Sequence, residues 1–186
     1  MHTTPASLLE RLRQPAQQAA WERFVHLYTP LFFHWARRLG FEGHEAADLV
    51  QDVFTLLVEK LPEFRYDPAK RFRGWLWTLT LNRCRERQRC QAVRPTADWD
   101  ALSQVAAPAV DGLADEEYRL YLTRRALELM QAEFQPATWK AFWEYVVNQR
   151  PAAEVAKELG MTENAVYLAK GRVLRRLREE LEGLLD

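Results

Sequence analysis

Residues that usually announce chemistry are scarce in this chain. Of 186 residues, two are cysteine, four are histidine and seven are glycine. Cys84 and Cys90 fall on what reads as one helix, about 9 Å apart along its axis and on different faces, too far for a disulfide. His2, His26, His34 and His44 have no metal-ligand spacing, and neither Cys-x-x-Cys nor His-Glu-x-x-His occurs. No metal, cofactor or catalytic residue is therefore expected. So few glycines argue against a glycine-rich phosphate loop and against a turn-rich β protein. No apolar run approaches the roughly 18 residues of a membrane span. Met-His-Thr-Thr-Pro at the start lacks a basic stretch leading into an apolar one, so a secretory leader is not expected. These readings predict a cytoplasmic protein without membrane insertion. Net charge is also missing: 26 Lys and Arg balance 26 Asp and Glu. That total alone would not suggest a nucleic-acid binder.

What is present is apolar and aromatic. Hydrophobic residues make up 48% and aromatics 12%, enough for a substantial core. The balanced charge is also strongly segregated. Residues 42–59 hold Glu42, Glu45, Asp48, Asp52 and Glu59 with no Lys or Arg. Residues 60–90 hold nine basic residues against three acidic ones, and residues 91–118 one against six. Residues 165–178 hold five basic residues and no acid. The distribution of charge, and not its sum, carries the information.

Apolar spacing reads as helix nearly throughout. Thr4-Pro5 has the form of a helix cap, followed by Leu8, Leu9 and Leu12. Trp21, Phe24, Val25 and Tyr28 form the next stripe, and Thr29-Pro30 predicts a break and restart leading to Gly40. An amphipathic helix over about 44–61 carries Ala46, Leu49, Val50, Val53, Phe54, Leu57, Val58 and Leu61, and Pro62 ends it. After a loop, a helix over about 72–90 has a core stripe of Phe72, Trp75, Leu76 and Leu79. Thr78, Asn82, Arg85 and Arg89 form a separate polar stripe. From about 92 to 115 periodicity fades into Ala, Pro, Asp and Gly, which reads as a flexible acidic linker with one weak turn at Trp99, Leu102 and Val105. Helices resume near Glu116, at Pro136 and at Pro151, and the last turns Val166, Ala169, Val173 and Leu177 inward. The expected fold is all-α: two small helical domains, 1–91 and 116–186, joined by the linker 92–115.

Three constellations could carry function. The short helix 151–159, a turn at Gly160 and a second helix capped by Thr162 have helix-turn-helix spacing. Glu163, Asn164, Tyr167, Lys170 and Gly171 point outward on the reading helix, and Arg172, Arg175, Arg176 and Arg178 supply cations for phosphates. The plainer reading is a helical hairpin with a solvated basic face. Segment 64–90 interleaves cations with Phe64, Tyr66, Phe72, Trp75 and Trp77, which suits stacked bases and paired phosphates. Trp75 and Trp77 also fit simple packing. The loop residues Arg65, Tyr66, Asp67, Lys70 and Arg71 are harder to place in a core. Finally, Glu45, Asp48, Asp52, Thr55 and Glu59 line one polar face of helix 44–61, either as solvated surface or as a dock for a basic partner.

Together these residues resemble a known family. Asp48-Leu49-Val50-Gln51-Asp52-Val53-Phe54 is similar to the core-polymerase-binding helix of bacterial sigma factors, especially the extracytoplasmic-function (ECF) group. Phe72-Arg73-Gly74-Trp75-Leu76 with Asn82 resembles that group's promoter-melting segment. Glu154-Val155-Ala156, Gly160-Met161, Val166, Arg172 and Leu177-Arg178 resemble its C-terminal helix-turn-helix. Tyr66-Asp67-Pro68 and Ala165-Val166-Tyr167 are similar to the planctomycete-type branch. The resemblance implies an initiation factor that binds RNA polymerase core, at the β′ clamp helices and β, through Asp48, Gln51, Asp52 and Thr55. It implies contact with promoter DNA at the minus-ten element through Arg65, Tyr66, Asp67, Lys70, Arg71, Trp75, Asn82, Arg85 and Arg89. It implies minus-thirty-five contacts through Glu163, Asn164, Tyr167, Lys170, Arg172, Arg175 and Arg176, and leaves room for an anti-sigma factor as a further partner. The sequence departs from the family at Ala169, often basic, and at Asn148-Gln149-Arg150, where a glycine is common. Its melting loop also looks longer than in many relatives.

Two other classes compete. A helix-turn-helix regulator with an N-terminal sensor or dimerisation domain would need neither the acidic face nor the aromatic basic loop. A metal-dependent nucleic-acid hydrolase could use Asp48 and Asp52, one turn apart, but no further ligand cluster supports it.

Overall fold

The structure, a computed structural model, describes residues 7–14, 17–64, 72–91 and 114–185. All its regular elements there are helical: α1 Leu8–Leu12, α2 Gln18–Arg38, α3 Gly43–Lys60, α4 Phe72–Gln91, α5 Asp115–Met130, α6 Pro136–Phe142, α7 Ala152–Leu159 and α8 Glu163–Leu181. A 3-10 turn, Leu61–Glu63, follows α3, and a π-helical turn, Trp143–Val147, prolongs α6. The expected cap at Thr4-Pro5 and the linker with its turn at Trp99, Leu102 and Val105 lie outside the described residues. Ser7 caps α1: its Oγ accepts from the Glu10 N–H at 3.3 Å, and the Glu10 carboxylate accepts from the Ser7 N–H at 3.2 Å.

α2 corrects one expectation. It runs unbroken through Thr29-Pro30, with no restart. Proline lacks an N–H, so the His26 carbonyl loses its helical donor. Arg125 of α5 supplies another, its Nε lying 3.2 Å from that oxygen. The Tyr121 hydroxyl donates to the Leu27 carbonyl at 2.9 Å and meets the Leu31 backbone N–H. Two side chains of α5 thus repair the ladder where Pro30 interrupts it.

The main core is aromatic. Phe24 stacks on Tyr28 at 4.5 Å, and Phe72 meets Tyr28 edge-on at 6.1 Å. Trp77 meets Trp35 edge-on at 5.4 Å, so Trp77 is packing. α3 contributes Ala46, Leu49, Val50, Val53 and Leu57. Val58, expected on that apolar face, is 55% exposed because the stripe is complete without it. The same core takes in Tyr118, Leu122, Ala126 and Met130 of α5, with Leu181 and Leu184 at the end of the chain. Two smaller clusters lie beyond it. One joins Ala141, Ala152, Val155, Ala156, Val166 and Ala169; the other joins Trp139, Phe142 and Val173.

α7 and α8 form the expected helix-turn-helix. Gly160 adopts φ +65°, a left-handed conformation that favours glycine. Thr162 Oγ1 accepts from the Ala165 N–H at 3.2 Å and caps α8. At the turn before α7, Gln149 holds φ +54°. This is a left-handed conformation, uncommon and strained for a residue with a side chain.

Candidate nucleic-acid and partner interfaces

The acidic stripe of α3 divides in two. Asp48, Gln51 and Thr55 are exposed. Asp52 turns toward α4, where it accepts from Arg87 Nε at 2.6 Å and Arg83 Nε at 3.2 Å. Burial alone would raise the Asp52 carboxyl; the bonds from Arg87 and Arg83 outweigh it and hold the pKa below the ordinary value. Arg87 also reaches Asp48 at 3.8 Å, and Arg83 pairs with Glu86 at 2.9 Å. Asp52 therefore ties α3 to α4, while Asp48 stays 62% exposed. Among the described residues, no three His, Cys, Asp or Glu gather to hold a metal. Cys84 lies in the core, and burial pushes its thiol up to about 12.

Of the expected melting residues, Arg65, Tyr66, Asp67, Lys70 and Arg71 lie outside the described residues. Phe64, just before them, is buried and tilted against Trp75 at 4.5 Å, and Trp75 stacks on Phe72 at 5.7 Å. Trp75 is half-buried and packs beside the loop's start. Asn82 and Arg89 are exposed and Arg85 is half-buried, so α4 keeps its polar stripe beside an aromatic base. The sequence reading passed over Arg73. It is 3% exposed, pairs with Asp115 at 3.4 Å and lies 4.6 Å from the centre of the Tyr118 ring. Its signal was present: Arg73, Trp77, Thr80 and Cys84 recur at helical spacing, and all four are buried.

α8 carries the third constellation and divides it between two faces. Glu163, Asn164, Tyr167, Arg172 and Arg175 are exposed. Lys170 is half-buried, its Nζ 5.4 Å from the centre of the Tyr145 ring; that ring also meets Tyr167 edge-on at 5.5 Å. Arg176 turns inward. Its Nε donates to Glu133 at 2.9 Å and its Nη1 lies 2.8 Å from Glu180. Burial would lower the Arg176 pKa; Glu180 and Glu133 outweigh it and raise it. Glu180 is 1% exposed and also takes Arg23 at 2.6 Å and Arg11 at 3.7 Å. Arg23 closes the network on Glu133 at 2.6 Å. Any DNA contact by Arg176 would have to break these pairs. Glu180 was not anticipated, although it falls two helical turns beyond Val173 and one beyond Leu177 on the inward stripe, where a buried acid demands cations.

Residues 24–94, spanning most of α2 through α4, match the family model of sigma-70 region 2. Two relatives align over nearly the whole chain. RNA polymerase sigma factor CarQ of Myxococcus xanthus is 28% identical over 173 residues, covering 93% of this chain and 95% of its own. RNA polymerase sigma factor CnrH of Cupriavidus metallidurans is 30% identical over 177 residues, covering 91% and 88%. The chain belongs to the RNA polymerase sigma factors. It is of the ECF type, and its function is promoter-directed transcription initiation. Similarity over both halves disfavours a regulator built on an unrelated sensor domain. A solved structure of CnrH in complex with the cytosolic domain of CnrY covers 91% of this sigma factor and 92% of that chain, at 23% identity. Its TM-score of 0.37 is too low for residue-level comparison. No helix among the described residues of this sigma factor is long and apolar enough to cross a membrane.

Proposed function

We propose that this sigma factor divides its work among the three constellations. The exposed face of α3, Asp48, Gln51 and Thr55, docks on the β′ clamp helices of core polymerase, and Asp52 shapes that face by holding α4 against it. The segment from Arg65 to Arg71, with Trp75, Asn82, Arg85 and Arg89, receives the minus-ten strand as it opens. The exposed half of α8 reads the minus-thirty-five element. The working units are 1–91 and 116–186, with 92–115 as the tether that spans polymerase. The protein is a binding and targeting subunit without chemistry of its own, acts in the cytoplasm, and leaves these faces open to an anti-sigma factor.

The observation that supports this best is the split along α3. Its apolar stripe is spent on the core, yet Asp48, Gln51 and Thr55 remain uncovered beside one another. The test is reconstitution with bacterial core polymerase. The protein is expected to give promoter-specific transcription, and Asp48→Lys to reduce binding to β′ with an unchanged far-ultraviolet circular dichroism spectrum. Undiminished β′ binding would remove this face from the interface.

A further inference from the structure

Gly171 sits in the interior of α8, where glycine costs about 1 kcal/mol relative to alanine. The fold gives no reason for it. Its φ is not in the left-handed region, and a methyl group placed there would meet nothing within 4 Å. On the same face, one and two turns earlier, lie Tyr167, Leu168 and Asn164; one turn later lies Arg175. All are exposed. Tyr167 is 48% and Leu168 51% exposed, two large apolar side chains side by side on a helix whose opposite face is core. The Tyr145 ring against Tyr167 limits where that side chain can point. Arg172, Arg175 and Arg178 follow the patch along α8 and are exposed. An apolar patch continued by cations along one helix matches a surface that sets apolar groups beside anionic ones. The major groove has phosphates along its walls, and thymine C5-methyl groups are its apolar feature.

We propose that Tyr167 and Leu168 read thymine methyl groups in the minus-thirty-five element, and that Gly171 is bare so that the groove wall can approach the axis of α8. This rests on the DNA-reading role proposed above for α8. Leu168 becomes a specificity residue that the sequence motif did not single out. Glu163 and Asn164, at the helix start, supply the polar part of the readout.

The test uses holoenzyme reconstituted from core polymerase and the full chain. Promoter fragments are first selected by that holoenzyme from a random pool, and each minus-thirty-five thymine is then replaced by deoxyuridine, which removes only the methyl group. At one position or more, wild-type binding is expected to weaken about fourfold, the worth of one buried methyl. Leu168→Ala holoenzyme should bind the thymine fragment more weakly and lose the sensitivity at one of these positions, while any position read by Tyr167 stays sensitive. Gly171→Ala should raise the unfolding midpoint by about 2–4 °C while losing minus-thirty-five binding. Indifference of the wild type to every replacement, or full sensitivity in Leu168→Ala, overturns methyl reading. Promoter affinity left intact by Gly171→Ala overturns the close approach. A loss of core binding in Leu168→Ala would assign the patch to a protein partner instead. If holoenzyme initiates at promoters but mutation anywhere on α8 leaves its site choice unchanged, the underlying reading role fails, and this inference with it.

Discussion

From Glu163 to Arg172, the outward side chains of α8 are open to solvent, and Gly171 has room beside it that nothing fills. From Val173 to Leu181 one face of the same helix sinks into the protein, where Arg176 and Glu180 are engaged with Arg11, Arg23 and Glu133, while Arg175 and Arg178 stay exposed. Both stretches carry arginines, and in sequence they look like one basic block. The structure separates them by what faces them. Opposite the outward face there is solvent; opposite the inward face there are Arg11 and Arg23, near the start of the chain, and Glu133. α3 repeats the lesson with acids, since Asp48 is exposed and Asp52, one turn on, is held by α4. A charge read from sequence is available to a partner only if the fold has not already engaged it.

The comparison breaks most readily at Glu180. Removing this carboxylate in Glu180→Ala leaves Arg11, Arg23 and Arg176 facing one another with only Glu133 to share. The expected loss is about 3 kcal/mol of unfolding free energy in urea titration, because uncompensated charge remains in a desolvated site. Glu180→Gln, which keeps the shape, should lose most of the same amount if charge is what matters. Near-wild-type stability in both would mean that α8 is anchored by its leucines alone.

A smaller effect is expected at Asp52. Its folded pKa lies below the ordinary value of 3.8. Its contribution to stability is therefore fully present above about that pH and is lost as pH falls through the lower folded value. Asp52→Asn should be less stable than wild type by about 1 kcal/mol at neutral pH, and the gap should close in acid below the ordinary value. Stability curves of wild type and variant that stay parallel down to pH 2, an acid limit roughly two units below the ordinary carboxylate range, would contradict the Arg83–Asp52–Arg87 clamp.

Much of this was legible in the sequence because it is local. The amphipathic stripe of α3, the Thr162 cap and the Gly160 turn each follow from residues within a few positions of one another. What escaped depends on distant partners. Pro30 looked like a helix break because Arg125, 99 residues on from His26, cannot be foreseen from local pattern. Arg73 and Glu180 are engaged at a distance: Arg73 meets Asp115 across 42 residues of chain, and Glu180 meets Arg23 across 157. For the candidate sites, motif and spacing identified the helices that carry the residues. They could not tell Asp48 from Asp52 or Arg175 from Arg176, because the difference lies in the facing element.

The most direct test of that division is the salt dependence of promoter binding by holoenzyme carrying Arg175→Ala or Arg176→Ala. Each phosphate contact contributes about 0.9 to the slope of log affinity against log salt. Arg175→Ala is expected to flatten the slope by about that amount. Arg176→Ala is expected to leave it unchanged while lowering the unfolding midpoint. Equal flattening by both, or flattening by Arg176→Ala alone, would contradict the separation of α8 into a reading face and an anchoring face.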